Sequence, residues 1–321
     1  MSENKMCDLK QATRFTVTTI VDNYTDILLL DEKENRFVKR FPRLGKDGKR
    51  TMPLLAEHGL SFLLEVEGEG TKHTVMMDFG LSNISVMHNI RAMDIDLAEV
   101  ETFLISHGHH DHLGSIREVL ASTPQPRDVV VHPDAFLEER LYLFPDGRTT
   151  PIPSLKREMI DSRFPVVEIT APRLLADGLM ATVTEIPRVT DFEKGMRAAH
   201  YRKDGVFFKD DIRDDQGVVV HIKGKGLVIV TGCGHSGIIN TILHAREITG
   251  VQEVFAVIGG FHLSGVFYEP VVERTIEEMK KFSPSLIAPT HCTGWKTQVA
   301  FSRAFPEAFV LNAVGTKLVL E

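Results

Sequence analysis

Within six residues, His107-Gly108-His109-His110-Asp111-His112, the chain gathers four histidines and an aspartate directly behind an apolar run at 100–105 that reads as a buried strand. Any fold of this chain must end a core strand where several imidazoles and a carboxylate converge. Neutral imidazole offers a lone pair to a borderline cation and the carboxylate adds charge, so the cluster suits zinc, iron or manganese and is costly without one.

The 321 residues, 43% hydrophobic and 25% charged, suffice for a large core and lack the composition of a disordered chain. A net charge of -7 leaves no basic footprint, which argues against nucleic acid as the main partner and for a small molecule. The opening residues, MSENKMCDLKQ, have no apolar h-region, and no run of about 18 apolar residues follows. A cytoplasmic protein without a membrane span is expected, with homo-oligomerisation left open. Cys7, Cys233 and Cys292 are far apart and odd in number, which argues against a disulfide framework. The last two lie beside histidines, either as site chemistry or as small buried thiols filling space.

Strands are expected at 15–21, 60–66, 73–77, 129–131, 217–222, 226–230, 254–258, 286–288 and 317–320, and helices at 113–120, 237–248 and 270–282. Residues 31–51 read as a charged surface loop whose run of Lys39, Arg40, Arg43, Lys46, Lys49 and Arg50 faces solvent or an anion. Prolines and charge clusters in 133–215 suggest loops and short helices forming a cover or insert over a site, within one domain spanning 1–321. Hairpins followed by alternating strands and helices in each half predict two mixed sheets packed face to face with helices outside.

The reactive residues fall at strand ends, where one edge of such a sandwich can gather them. His107 and His109 leave the strand on one side, while Asp111 and His112 are expected to begin the next helix, with Asp111 favoured at its amino terminus. Two adjacent ions fit this spacing, and His110 points elsewhere. Further ligands must come from afar, and Thr-Gly-Cys-Gly-His at 231–235, Gly-Gly-Phe-His at 259–262 and Thr-His-Cys-Thr-Gly at 290–294 supply histidines at glycine-rich strand exits.

His-x-His-x-Asp-His at 107–112 meets in full the signature of the metallo-β-lactamase superfamily, which the chain resembles from about Phe15 to its end. The three strand exits, with Glu57-His58-Gly59 and Glu185-Ile186-Pro187-Arg188, are similar to one branch, that of the 7,8-dihydropterin-6-ylmethyl-4-(β-D-ribofuranosyl)aminobenzene 5'-phosphate synthases. The resemblance implies an α/β fold, a four-layer αββα sandwich of two mixed β-sheets, with a dinuclear site. It implies His107 and His109 on the first metal, with His235 as third ligand, and Asp111, His112 and His291 on the second. Where the better-known hydrolases place a bridging aspartate this chain has Cys233, so either Cys233 or His235 takes the vacated role. The imidazole is preferred and Cys233 is given a supporting one.

Asp78 is expected to orient a metal-binding histidine, or else to be a simple turn residue. A site short of one carboxylate is more cationic and favours a phosphorylated, anionic substrate, with His262, Gly260 and Arg188 contacting it and Asn23 and His58 lining the pocket; Arg188 alternatively pairs with Glu185 or Asp191. Asp111 and His262 are the candidate catalytic residues. The implied activity is a dinuclear hydrolase or transferase on a small phosphorylated molecule, including condensation of a dihydropterin diphosphate with ribofuranosylaminobenzene 5'-phosphate. Phosphodiesterase or lactonase activity is the alternative, and a non-catalytic metal-stabilised ligand-binding protein the competing class. The two divalent ions are expected to be zinc, with iron or manganese open.

Overall fold

In the computed structural model, residues 7–30 and 36–321 are described; the first six residues of the polar amino terminus and 31–35 of the expected loop lie outside them. β-Branched runs with a period of two build two large sheets. One has eight strands among the described residues, in the order Val166–Glu168, Asp128–Val131, Thr102–Leu104, Thr71–Met77, Ser61–Gly68, Arg14–Val21, Lys317–Leu320 and Val38–Lys39. The other runs Leu174–Leu175, Met180–Val183, Gly217–Ile222, Gly226–Thr231, Val254–Gly260 and Leu286–Thr290, with Gln11–Ala12 added beside Gly217–Ile222. Both mix parallel and antiparallel pairs.

Alternation decides the layers. Val228 and Val230 face Phe62, Leu64 and Met77 of the other sheet in one fully buried cluster, while Leu227 and Ile229 point outward under helices. The second sheet is covered by α3 (Ile238–Thr249), α4 (Val272–Phe282) and α5 (Trp295–Ala304), and the first by α1 (Ser85–Ala92) and α2 (Ile116–Ser122). In α4 the buried Val272, Thr275, Ile276 and Met279 form a single helical stripe. The result is the expected αββα sandwich. No helix among the described residues is long and apolar enough to cross a membrane.

Four expectations need correction. Asp111 and His112 do not open α2 but sit in a 3-10 turn, His110–His112, and α2 starts only at Ile116. The backbone between is committed elsewhere: Leu60 and Phe79 donate to the carbonyls of Asp111 and His112, and Gly114 and Ser115 donate to those of Gly80 and Phe79. Gly114 passes so close to Leu81 that a Cβ would lie 2.3 Å from its carbonyl oxygen. The helix dipole, which acts within one turn, therefore does not favour the Asp111 carboxylate.

The segment 133–215 is richer in strands than expected. Val166–Glu168 extends the first sheet, Leu174–Leu175 and Met180–Val183 the second, and Arg140–Leu143, Thr149–Pro151, Ala199–Lys203 and Val206–Lys209 form a separate small sheet. Two helices, α1 and α5, were not expected from sequence; their apolar stripes are short, with only Thr297 and Phe301 buried in α5. Finally, the charged loop is partly ordered as an edge strand, and Arg40 turns inward to the Leu311 carbonyl and Thr316 Oγ1.

Candidate metal centre

The strands Gly226–Thr231, Val254–Gly260 and Leu286–Thr290 run parallel, so Cys233, His262 and His291 leave the sheet at the same edge. Across the sandwich, Thr102–Leu104 runs parallel to Thr71–Met77, and their exits bring the 107–112 motif against Asp78. Two groups of donors result. His107 Nε2 lies 3.0 Å from His109 Nδ1 and 3.2 Å from His235 Nε2. Beside them, Asp111 Oδ2 lies 3.3 Å from His291 Nε2 and 3.8 Å from His112 Nε2.

Cys233 stands between the groups. One ligand atom from each of Asp111, His112, Cys233 and His291 falls within 4.8 Å of the others, and the same holds for His107, Cys233 and His235. Its Sγ is 3.2 Å from His112 Nε2. Cys233, expected in a supporting role, thus lies within reach of both groups, and His235 stands beside it in the first.

Charge separates the two groups. Burial, reinforced by the neighbouring imidazoles, pushes His107 and His235 well below the ordinary histidine value. Burial and the nearby Arg140 lower His109 to about 3. Three neutral rings therefore meet with His107 Nε2, which has a single lone pair or a single N–H, facing two other ring nitrogens, and with His109 Nε2 and His235 Nδ1 buried without a hydrogen-bond partner. A cation resolves that conflict, and this is the observation that fits the site to a metal. In the other group burial opposes the charge on His112, yet Asp78 and Asp111 raise it to about 9. Burial likewise opposes the Asp111 carboxylate, but His112 and His291 hold it well below the ordinary range.

Supporting contacts fix both groups. Asp78, fully buried at φ 64°, accepts from Ser106 N, Ser106 Oγ and His112 Nδ1 at 2.8, 2.7 and 2.7 Å, so it orients a histidine as expected. Sequence reasoning missed Asp22, whose Oδ1 accepts from His291 N at 3.0 Å and whose Oδ2 accepts from Asn312 and Thr290 Oγ1. It also missed Asp214 and Asp215. Asp214 accepts from Gly108 N at 2.7 Å and holds both terminal nitrogens of the buried Arg140, at 3.0 and 2.6 Å. Asp215 accepts from Ser236 N at 2.8 Å, next to His235. One dipeptide thus grips two loops of the centre.

The expected substrate contacts fare unevenly. His58 lies at the rim, 4.0 Å from Asp111 Oδ2. Asn23 is exposed, but its amide donates to the His291 carbonyl at 3.1 Å, so it also steadies that loop. His262 sits at φ 44° with its Nδ1 buried and unpartnered, its ring 4.2 Å from that of His235. It opens on a cavity lined also by Phe192, Lys194, Arg197, Phe267 and Tyr268. Gly260 is corrected: its amide is spent on the Gly232 carbonyl at 2.9 Å and is not offered to a ligand. Arg188 donates to the Asp211 carbonyl, and its alternative ion pair is corrected, since Glu185 pairs with Arg213 and Asp191 with Arg274. His110 is exposed and belongs to neither group of donors.

No protein-family model matches the sequence. The chain is 30% identical over 266 residues, 80% of its length and 88% of the relative's, to the 7,8-dihydropterin-6-methyl-4-(β-D-ribofuranosyl)-aminobenzene-5'-phosphate synthase of Methanocaldococcus jannaschii. It is 28% identical over 260 residues to an uncharacterised protein of the same organism, covering 81% of this chain and 92% of that one. Among solved structures, a metal-dependent hydrolase of the β-lactamase superfamily superposes with a TM-score of 0.70 at 22% identity, covering 96% of this chain and 98% of the other. The metallo-β-lactamase fold protein YhfI of Bacillus subtilis gives 0.51 at 11% identity, covering 96% and 100%.

Proposed function

This chain belongs to the metallo-β-lactamase superfamily, and from that premise we propose that it is a dinuclear metal-dependent enzyme acting on a small phosphorylated substrate. The observation that carries the reading is the pair of donor groups sharing Cys233. In it His107, His109 and His235 hold one ion, Asp111, His112 and His291 the second, and Cys233 lies between them. Bound divalent ions supply Lewis acidity toward a phosphoryl or carbonyl oxygen and lower the pKa of water.

The chain's own residues do the rest. Lys194 and Arg197 line the cavity beside His235 and favour an anionic group there. His262, which lines that cavity beside His235, is the residue that would hold or deliver a proton at the leaving oxygen. Resemblance to the M. jannaschii synthase supports a dihydropterin diphosphate as substrate: the bond from carbon to the diphosphate oxygen breaks, diphosphate departs, and an arylamine forms the new bond. Hydrolysis is the same cleavage with water as acceptor.

With Cys233 shared, Asp111, His112, Cys233 and His291 would hold the second ion with four donors, and His107, Cys233 and His235 the first, with His109 beside them; four donors would close a tetrahedral zinc site, whereas an octahedral ion such as manganese would keep open positions. The deciding experiment is a turnover screen of zinc-, iron- and manganese-loaded protein against pterin diphosphates, phosphodiesters and lactones. Turnover of a phosphorylated substrate, competed by inorganic diphosphate, is expected. Turnover of lactones alone, or of nothing with any metal, overturns the reading.

A further inference from the structure

Cys233 and Cys292 belong to strand exits on either side of Val254–Gly260, yet their side chains meet. Cys292 Sγ lies 3.3 Å from the Cys233 carbonyl, and the two sulfurs and a ring nitrogen of His262 all fall within 4.8 Å of one another. The room comes from Gly260. A Cβ there would sit 2.8 Å from Cys292 Sγ and 3.0 Å from Cys233 Cα, so only glycine in the intervening strand lets the thiols approach over it. The third cysteine, Cys7, is elsewhere, its amide donating to the Ile248 carbonyl at the end of α3.

We propose that Cys233 and Cys292 are a thiol-oxidation site, closing a reversible disulfide in the floor of the metal centre that removes Cys233 from the donor set. The bond requires about 2.05 Å between sulfurs, so the two side chains must turn toward each other from within 4.8 Å to close it. The oxidant is a peroxide. Its O–O bond breaks as one thiol becomes a sulfenic acid and a water leaves; the second sulfur then attacks, the S–O bond breaks, and a second water leaves. Two thiols give up two electrons and two protons, and hydrogen peroxide becomes two waters.

A disulfide sulfur is not a thiolate ligand, so the oxidised centre binds metal more weakly. That consequence rests on the reading of Cys233 as a donor; the pairing itself does not.

The test is to treat metal-free, full-length protein with hydrogen peroxide, digest it without reduction and map the peptides by mass spectrometry. A peptide linking Cys233 to Cys292 is expected, removed by dithiothreitol, unchanged in Cys7→Ser and absent in Cys292→Ser. Recovery of both cysteines unlinked, or as sulfinic acids only, overturns the proposal. The rate in zinc-loaded protein separates it from the functional reading: linkage should slow on the order of tenfold or more if the ion occupies Cys233. An equal rate sinks Cys233 as a donor and leaves the pairing standing.

Discussion

His107, His109 and His235 meet as imidazoles alone, whereas His112 and His291 face Asp111, and His112 has Asp78 behind it. The same residue type is thus held in opposite states. Burial leaves the first trio neutral and ready to donate, and carboxylates keep His112 charged, about 9 against an ordinary value near 6.5. Loading the first group displaces no proton from its rings, only the one on the Cys233 thiol, which burial holds protonated; loading the second must displace one from His112. The two half-sites should differ in affinity, pH dependence and sensitivity to mutation.

The strongest test of that asymmetry is Asp111→Asn, which removes the carboxylate facing His112 and His291. Metal analysis should find one ion retained and one lost, with turnover falling to background; two ions and full activity would break the comparison outright. Asp214→Asn should do the converse. An amide offers one oxygen where the carboxylate offered two to Gly108 and Arg140, and Arg140 keeps the Asp134 carbonyl and a single carboxylate partner, Asp210 at 2.9 Å, so affinity for the first ion should fall about 10- to 100-fold while the second is spared. Because a buried guanidinium loses half its compensation, unfolding should also become easier by up to about 3–5 kcal/mol, read from denaturant midpoints.

The smallest effect is in pH. In the metal-free protein the first trio has depressed values, so the unfolded chain takes up protons below about pH 6.5 that the folded one refuses, and stability falls on acidification. His112 is raised, so its contribution is complete below about pH 6.5 and is lost as pH rises toward about 9. Thermal unfolding of metal-free protein should therefore peak between these limbs. Calorimetry near neutral pH in buffers of different ionisation enthalpy should show about one proton leaving His112 as the second ion binds; a monotonic stability profile and no proton release would refute the charge assignment.

The sandwich was legible because period-two runs at 15–21 and 217–230 say which face is buried, and the 107–112 motif was legible because its donors are contiguous. Contacts between distant residues were not. Asp22 to His291, Asp214 to Gly108 and Asp215 to Ser236 leave no local pattern, and a lone aspartate in a loop reads as a turn residue. Gly260 and Arg188 were misread for the same reason: what a backbone amide or a guanidinium is bonded to depends on neighbours the sequence does not adjoin. The small sheet escaped because its strands are three to five residues long and punctuated by Pro151 and charges.

The grip of Asp214 and Asp215 on two loops from opposite sheets has a kinetic side. Neither the loop at 107–112 nor the one at 231–235 can present its donors to the other until the sheets have docked and this dipeptide lies between them. Such contacts, about a hundred residues apart for Asp214 and Gly108, form late because chain closure precedes any return from them. Metal uptake during refolding would then time the last act of assembly, not the first, and the centre would serve as its own clock.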